Sequence, residues 1–355
     1  MDRDASRIAV ANLFPRMYPE TTMTSINTPF AAVTRRSFLA GIGAATAAAH
    51  LPRAFAMTSS YKFKLAVISD EISPELDHAC DVAANEFGLS WVELRAFWGK
   101  NITDMDDETL AKAEKVLAKY KLGVTDIASP LFKVDFPGAP KSKERTKEGN
   151  FGAKEDNSTA VFKKQDELLE RCIALAKRFK TDRIRCFDFW RLDDQAPYRT
   201  AINERLQHAA EICARHNLVL VLENEYACNT ATGREAGKVL DAVKNPALMV
   251  NWDPGNAVAR GELDAWPGGW DALPKDRIGH CHCKDAVKTD TPAGFEWRPV
   301  GGGIIDWIAQ FKAFKKMGYS HAVSLETHWH GGGTPEQSTR TSMAGLKKAL
   351  AAADV

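Results

Sequence analysis

The sequence predicts a single α/β domain folded as a (β/α)8 barrel, the TIM-barrel architecture. From Tyr61 onward, short apolar or β-branched runs alternate with longer segments of helical periodicity, and eight such units are counted. No Gly-x-Gly-x-x-Gly follows the first predicted strand, where Asp70-Glu71-Ile72-Ser73 stands, which disfavours an open dinucleotide-binding sheet. With 355 residues and 45% apolar composition, the chain can bury the core of such a domain.

The first half of the barrel is predicted to hold four strand–helix units. The predicted strands are residues 64–69, 91–95, 124–128 and 183–187. The predicted helices are residues 74–86, 107–120, 159–179 and 196–216. Acidic Asp107 and Glu108 at the start of the second helix suit the positive end of a helix dipole. The connection over residues 133–158 exceeds ordinary loop lengths, and it is either a lid over the barrel mouth or a solvated surface loop.

The second half repeats the pattern with one irregular connection. The predicted strands are residues 218–222, 247–252, 277–284 and 322–325. The predicted helices are residues 234–243, 304–316 and 335–352, and a Trp-rich irregular stretch follows the sixth strand. We therefore predict one barrel domain over residues 61–355.

The N-terminal segment, residues 1–56, is predicted to be an export signal outside the domain. Thr34-Arg35-Arg36-Ser37-Phe38-Leu39 is a twin-arginine pattern, an apolar stretch follows it, and Ala54-Phe55-Ala56 provides an A-x-A cleavage site. We expect cleavage after Ala56 and a periplasmic or secreted mature protein without a membrane span.

Charge and cysteine content narrow the function classes. A formal net charge of +1 gives no field that would attract nucleic acid. The seven cysteines show no paired C-x-x-C spacing, which argues against a disulfide framework and a zinc ribbon. A small-molecule substrate is expected, and a homo-oligomer is left open.

One predicted strand carries an unusual polar stripe. In His280-Cys281-His282-Cys283-Lys284-Asp285, alternation directs His280, His282 and Lys284 to one face and the cysteines to the other. Buried imidazoles cost free energy unless a partner satisfies them. We expect His282 to bind a metal, with His280 one layer deeper and Asp285 structural.

Carboxylates end the neighbouring predicted strands at equivalent depth. Glu223 ends the fifth strand, Asp253 follows the sixth, and Glu326 follows the eighth. In a barrel, the functional residues stand at the C-terminal ends of the strands. Glu223, Asp253, His282 and Glu326 would thus make one cation site. The oxygen-rich set favours manganese or magnesium, with cobalt or zinc as alternatives.

These motifs carry a resemblance to a known family. The chain resembles the xylose isomerase-like barrel superfamily, and specifically its sugar phosphate isomerase/epimerase members, over about residues 62–350. The stretches that carry the resemblance are Glu223-Asn224, Asp253-Pro254-Gly255-Asn256, His282-x-Lys284-Asp285, Ser324-Leu325-Glu326 and Glu93-Leu94-Arg95.

The resemblance implies a metal-dependent sugar isomerase or epimerase. It assigns Glu223, Asp253, His282 and Glu326 to one divalent metal, and Glu223 and Glu326 to the base and acid roles. Such an enzyme removes a proton next to a carbonyl through an enediolate, and two glutamates on different strands can serve opposite faces of that intermediate. Two departures from the family pattern, Asn256 and Glu225, stand where many relatives have histidine, which leaves substrate identity open.

Four further residues are candidates for substrate binding. Arg95 and Lys284 would orient substrate oxygens, Asn256 would contact the sugar, and Trp98 would wall a sugar face. Phe97, Phe189 and Trp190 could join that wall or pack around the rim.

Two other functions stay open. A lyase could use the same proton abstraction to cleave a 3-keto-glycoside by elimination. A protein of another class, a non-catalytic sugar-binding or partner subunit, could keep the barrel. Export favours an unphosphorylated sugar, although the glycine runs 301–303 and 331–333 lie where a barrel binds phosphate.

Overall fold

The computed structural model describes residues 61–143 and 158–355. The predicted export signal and its cleavage site lie outside the described residues, as do residues 144–157 of the long connection. The export signal therefore stays a prediction.

Eight parallel strands form the barrel, which confirms the predicted fold class. They are β1 Lys64–Val67, β2 Trp91–Leu94, β3 Gly123–Leu131, β4 Arg183–Cys186, β5 Val219–Glu223, β6 Leu248–Trp252, β7 Ile278–Cys283 and β8 Ala322–Leu325. Their order around the sheet is β1-β8-β7-β6-β5-β4-β3-β2. A parallel bridge between Ile68 and Glu93, just after β1 and within β2, joins the two ends of the sheet.

Eight helices accompany these strands in the described part of the chain. They are α1 Leu76–Asp81, α2 Asp107–Tyr120, α3 Ser158–Arg178, α4 Arg199–Arg215, α5 Gly233–Ala242, α6 Pro254–Ala259, α7 Trp307–Met317 and α8 Pro335–Ala352. Helix α1 continues as a π-helical turn, Val82–Glu86. Within the described ranges, no helix is both long and apolar enough to cross a bilayer.

Three elements of the structure were not predicted. Helix α6 is a short helix in the stretch interpreted as irregular, and it begins directly after Asp253. Two antiparallel hairpins extend the loops after β2 and β7: Ala96–Phe97 with Lys100–Asn101, and Asp285–Lys288 with Phe295–Arg298. The second pair is called the β7 hairpin below. Both hairpins lie on the C-terminal side of the barrel, where functional loops are expected.

The side chains of β7 alternate as predicted. His280 and His282 point to the barrel interior and contact Glu93 of β2. Cys281 and Cys283 lie in the hydrophobic core, and all seven cysteines are buried and unpaired.

A buried arginine, Arg183, lies inside the N-terminal end of the barrel. Arg183, the first residue of β4, donates from Nε to the carbonyl oxygen of Gly279 at 2.8 Å. Its Nη2 lies 2.6 Å from Nδ1 of His321, and its Nη1 contacts Asp182. Burial, together with the Arg183 charge, lowers the pKa of His321 to about 4, so the ring is a neutral acceptor at neutral pH.

Candidate active site

Four buried side chains from consecutive strands converge at the C-terminal end of the barrel. Glu223 ends β5, Asp253 caps α6 after β6, His282 lies on β7, and Glu326 follows β8. Each side chain offers one ligand atom, and the four atoms all lie within 4.8 Å of one another. The structure thus brings together the four residues that the sequence proposed as metal ligands, which we call the ligand cluster.

His282 is the centre of this ligand cluster. Its Nδ1 lies 3.4 Å from Glu223 Oε1, 3.4 Å from Glu326 Oε2 and 3.9 Å from Asp253 Oδ2. That buried nitrogen makes no hydrogen bond. The other ring nitrogen, Nε2, lies 3.0 Å from Glu93 Oε1, so the imidazole donates there and presents Nδ1 to the three carboxylates.

The donor set fits a divalent cation. Three carboxylate oxygens and one imidazole nitrogen are ligands that manganese, magnesium and zinc accept. Lys284 Nζ lies 2.9 Å from Asp253 Oδ2 and 2.5 Å from Glu326 Oε2. A carboxylate oxygen has two lone pairs, so it can accept from Lys284 and still serve as a ligand. Burial lowers the pKa of His282, but Glu93 and Glu223 raise it well above its usual value, so a bound cation would replace a proton at Nδ1.

Three cationic or ionisable groups surround Glu326. Arg95 Nη1 lies 2.8 Å from Glu326 Oε1, Lys284 contacts Oε2, and His328 Nε2 is 3.3 Å from Oε1. Burial alone would raise the pKa of Glu326, but Lys284, His328 and His282 hold it well below its usual value. The carboxylate is therefore ionised and able to accept a proton.

Glu223 has a more buried set of partners. Arg185, on β4, lies 3.2 Å from Glu223 Oε2, and the Asn256 amide donates to Oε1 at 3.1 Å. Burial raises the pKa of Glu223, but His282 and Arg185 outweigh that effect and hold the pKa at about 2. Both proposed acid/base residues are thus carboxylates at neutral pH.

Asp253 is positioned by the helix that follows it. Its Oδ1 accepts from the backbone N–H of Asn256 at 2.8 Å, which caps α6. The amide of Asn224 donates to the Asp253 carbonyl at 2.7 Å and accepts from its N–H at 2.8 Å. Burial raises the pKa of Asp253 to about 6, although Lys284 opposes this. A cation at the ligand cluster would favour the ionised carboxylate.

Three of the four predicted substrate-binding residues border the ligand cluster. Arg95 and Lys284 bind Glu326, and Asn256 binds Glu223. The fourth, Trp98, does not join them: its ring contacts Phe97 at 5.1 Å and lies 4.1 Å from Lys112 Nζ.

The structure places Trp98 at a different cavity. That cavity, about 240 Å³, is lined by residues of the hairpin after β2, of α2 and of the segment between them, and its lining includes no residue of the ligand cluster. Trp98 has a left-handed backbone with φ 49°, because it forms the tight turn of the hairpin with Gly99. Phe97 and Phe189 are fully buried core residues and wall no sugar. These contacts do not bring Trp98 to the ligand cluster, and its role in substrate binding stays a prediction.

Sequence reasoning missed three functional candidates. Glu93 orients His282, Arg185 holds Glu223, and His328 contacts Glu326. Glu93 and Arg185 are charged residues inside core strands, which is a signal for a satisfied buried partner. The identity of each partner depends on the register of the strands, and the spacing of residues along the sequence does not reveal it.

One curated protein is similar to this chain over part of its length. A protein of Escherichia coli (strain K12), SgbU, assigned provisionally as an L-ribulose-5-phosphate 3-epimerase, is 26% identical over 183 residues, 50% of this chain and 61% of that protein. The chain thus matches about three fifths of the length of that curated relative.

Two solved structures share the fold. AsbF of Bacillus anthracis, a 3-DHS dehydratase candidate of petrobactin synthesis, has a TM-score of 0.57 at 22% identity, over 81% of this chain and 97% of AsbF. A Mycobacterium smegmatis protein, solved with magnesium and described as a xylose isomerase-like TIM barrel, has a TM-score of 0.58 at 14% identity, over 83% and 98% of the two chains.

The family is defined by a sequence profile. The profile described as xylose isomerase-like TIM barrel matches residues 82–349, which contain all four residues of the ligand cluster. The chain belongs to the xylose isomerase-like TIM barrel family.

Proposed function

We propose that the protein is a metal-dependent isomerase or epimerase that removes a proton next to a sugar carbonyl. One observation carries the proposal: Glu223 Oε1 and Glu326 Oε2 lie at the same distance, 3.4 Å, from one imidazole nitrogen. The two carboxylates come from strands separated by β6 and β7, so they approach the same space from different directions. A planar intermediate between them would have one carboxylate on each face.

The two glutamates perform the proton transfer. One ionised carboxylate accepts the proton from the carbon next to the carbonyl, and the enediolate forms. For epimerisation, the other glutamate first takes a proton from solvent and delivers it to the opposite face, which inverts the carbon, and the first glutamate then releases the abstracted proton to solvent. Return by the first carboxylate to the neighbouring carbon gives aldose–ketose isomerisation.

The other residues of the site would stabilise the charge on the sugar oxygens and orient the substrate. A divalent cation held by Glu223, Asp253, His282 and Glu326 would supply Lewis-acid stabilisation of the charge that develops on the sugar oxygens. The N–H groups of Arg95 and Lys284 adjoin Glu326 and can donate to the same oxygens.

An unphosphorylated substrate suits the loops around the mouth. A phosphate bound by a glycine-rich loop is held by free backbone N–H groups. In the first glycine run, Gly301 N donates to Asp285 Oδ2 at 2.9 Å and Gly302 N donates to Pro299 O at 2.8 Å. In the second run, Gly332 N donates to Ser338 Oγ at 3.2 Å. These amides are already bound within the protein.

A lyase that cleaves 3-keto-glycosides is the second candidate. Elimination needs an acid for the departing oxygen besides the base. His328 lies 3.3 Å from Glu326 Oε1, and its side chain is 29% exposed, so it can protonate a group that leaves toward solvent.

Deuterium exchange separates these functions. The manganese-loaded protein is incubated in D2O with free ketohexoses and with 3-keto-glycosides, and products are followed by NMR and mass spectrometry. An isomerase or epimerase incorporates deuterium next to the carbonyl, whereas a lyase also releases the aglycone. Neither exchange nor release with any sugar would leave a non-catalytic binding protein and would refute the proposal.

Export by the twin-arginine pathway is proposed with this function, because it agrees with an unphosphorylated substrate. Fractionation of the producing bacterium should recover a periplasmic or secreted chain that begins at Met57. Arg35→Lys with Arg36→Lys should retain the precursor in the cytosol. Unprocessed cytosolic wild-type protein would contradict the export proposal.

A further inference from the structure

The β7 hairpin has a rigid base beside the ligand cluster. The Asp285 carboxylate, directly after Lys284, accepts from the backbone N–H groups of Ala286 at 3.0 Å, Gly301 at 2.9 Å and Ile305 at 3.3 Å. A Cβ on Gly303 would lie 2.0 Å from Asp285 Oδ1, so that close approach requires glycine. This confirms a structural Asp285 and fixes the hairpin relative to β7.

Three aromatic side chains form one surface on this hairpin and the loop after β5. Phe295 and Trp297 have ring centroids 4.9 Å apart, and Tyr226 lies 5.6 Å from Phe295 and 6.1 Å from Trp297. All three side chains are partly exposed. We call Tyr226, Phe295 and Trp297 the aromatic wall.

The aromatic wall lies one side chain outward from the reacting groups. The Trp297 ring is 5.3 Å from the His328 ring, and Lys284 Nζ is 5.2 Å from the Trp297 centroid. His328 and Lys284 in turn contact Glu326. A sugar ring held between Glu223 and Glu326 therefore occupies the inner layer, and the wall faces whatever is attached to that ring.

The chemistry of the aromatic wall favours a neutral ring. Aromatic faces bind the flat apolar faces of other rings, and the Tyr226 hydroxyl adds a polar end. The charged residues on either side of Trp297 pair with each other, Arg298 Nη2 lying 2.8 Å from Glu296 Oε2. The hairpin thus offers stacking area beside a neutralised pair.

We propose that the aromatic wall binds a second ring joined to the reacting sugar, so that the substrate is a glycoside or disaccharide derivative. The inference rests on the proposed function, because it locates the reacting ring between the two glutamates. The second ring is either a sugar or an aromatic aglycone, both of which present a face that an indole can stack on.

Calorimetric titration of the manganese-loaded protein tests the inference. The probes are phenyl β-D-glucopyranoside, cellobiose and D-glucose as the one-ring reference. We expect at least one two-ring probe to bind about 10-fold more tightly than D-glucose. If phenyl β-D-glucopyranoside binds more tightly than cellobiose, the second ring is aromatic, and if cellobiose binds more tightly, it is a sugar.

Variants of Trp297 test whether the aromatic wall causes the tighter binding of two-ring probes. Trp297→Ala should reduce the affinity ratio of the two-ring probe to D-glucose below about 2-fold. Trp297→Phe should retain part of that ratio because a ring face remains. Trp91→Phe, at the opposite end of the barrel where the ring contacts Lys64 at 4.4 Å, is the matched control with an unchanged preference. Metal content and thermal midpoint are measured for each variant to verify folding.

The outcomes separate this inference from the proposed function. Equal or absent binding of all three probes, or a preference that survives in Trp297→Ala, overturns the second-ring site. Deuterium exchange on free sugars without a two-ring preference overturns the second-ring site alone. A two-ring preference without exchange on any sugar overturns the proposed function alone.

Discussion

The two ends of the barrel interior both hold buried charges, but the charges have different partners. At the N-terminal end, Arg183 donates to Gly279, Asp182 and His321, and its contacts are internal. At the C-terminal end, the ligand cluster gathers three carboxylates around His282 Nδ1, a buried nitrogen without a hydrogen bond. A buried polar atom without a partner costs free energy unless something else satisfies it. The contacts of the first end are satisfied within the protein, whereas the second end gathers donor atoms that could hold a cation.

The comparison predicts two separable kinds of variant. Changes at the C-terminal end should alter chemistry and metal binding and leave folding largely intact. Changes at the N-terminal end should alter stability and leave the chemistry of the folded protein intact.

Glu326→Gln should abolish most proton transfer. We expect solvent deuterium exchange next to the carbonyl to fall by about 10²–10⁴-fold, because the amide cannot accept the proton. The amide oxygen remains a ligand, so substantial metal binding should persist. Glu336→Gln, an isosteric change on the outer helix α8, is the matched control. Exchange at the wild-type rate in Glu326→Gln would rule out its acid/base role.

Glu93→Gln should weaken metal binding, although Glu93 is not one of the four proposed ligands. Loss of the charge beside His282 Nε2 removes the group that orients the ring, which costs about 10–100-fold in affinity at other metal sites. Competition with a fluorescent chelator measures the change.

Asp126→Asn is the control for that variant. Burial, with a smaller contribution from Glu93, raises the pKa of Asp126 to about 8, so its carboxyl is already mostly protonated at pH 7. The isosteric amide should therefore change metal affinity little. Equal losses in Glu93→Gln and Asp126→Asn would contradict a specific role for Glu93.

Arg183→Met should destabilise the fold by about 1–3 kcal/mol, because the buried carbonyl of Gly279 loses its donor. Urea unfolding measures the loss, and exchange activity per folded molecule should match wild type. Arg215→Met, at the exposed end of α4, should stay within about 0.5 kcal/mol. A stable Arg183→Met that lacks activity would contradict the division between the two ends.

Acid should weaken the N-terminal end through His321. Its folded-state pKa of about 4 lies below the ordinary histidine pKa of 6.5, so the unfolded state binds more protons between these values. Stability should therefore fall as pH decreases through this window. Comparing His321→Gln with wild type isolates the contribution, and the variant should lose less stability on acidification. Parallel pH curves for the two proteins would contradict it.

Sequence reasoning predicted the elements that have strong local signals. Helix α2 is capped by Asp106, whose side chain accepts from Thr109 N, and α8 begins with a capping box at Thr334, so both helices match their expected bounds. Helix α6 has only six residues and lies in a Trp-rich stretch, and the two-residue strands of the hairpin after β2 are too short to show alternation.

The candidate site was predictable only where strand ends determine it. Parallel strands of a barrel end at one rim, so Glu223, Asp253, His282 and Glu326 could be grouped from spacing. The contact of Glu93 with His282 Nε2 joins strands on different sides of the barrel, and no local sequence pattern encodes it. The contact of Trp98 with Lys112 of α2 follows from the hairpin turn, which no local pattern showed.

Anomalous diffraction from crystals grown with manganese shows whether the ligand cluster binds a metal. We expect one manganese peak within bonding distance of Glu223 Oε1, Asp253 Oδ2, His282 Nδ1 and Glu326 Oε2, and its loss in His282→Ala. A peak elsewhere in the barrel, or one that remains at full height in His282→Ala, would contradict the account.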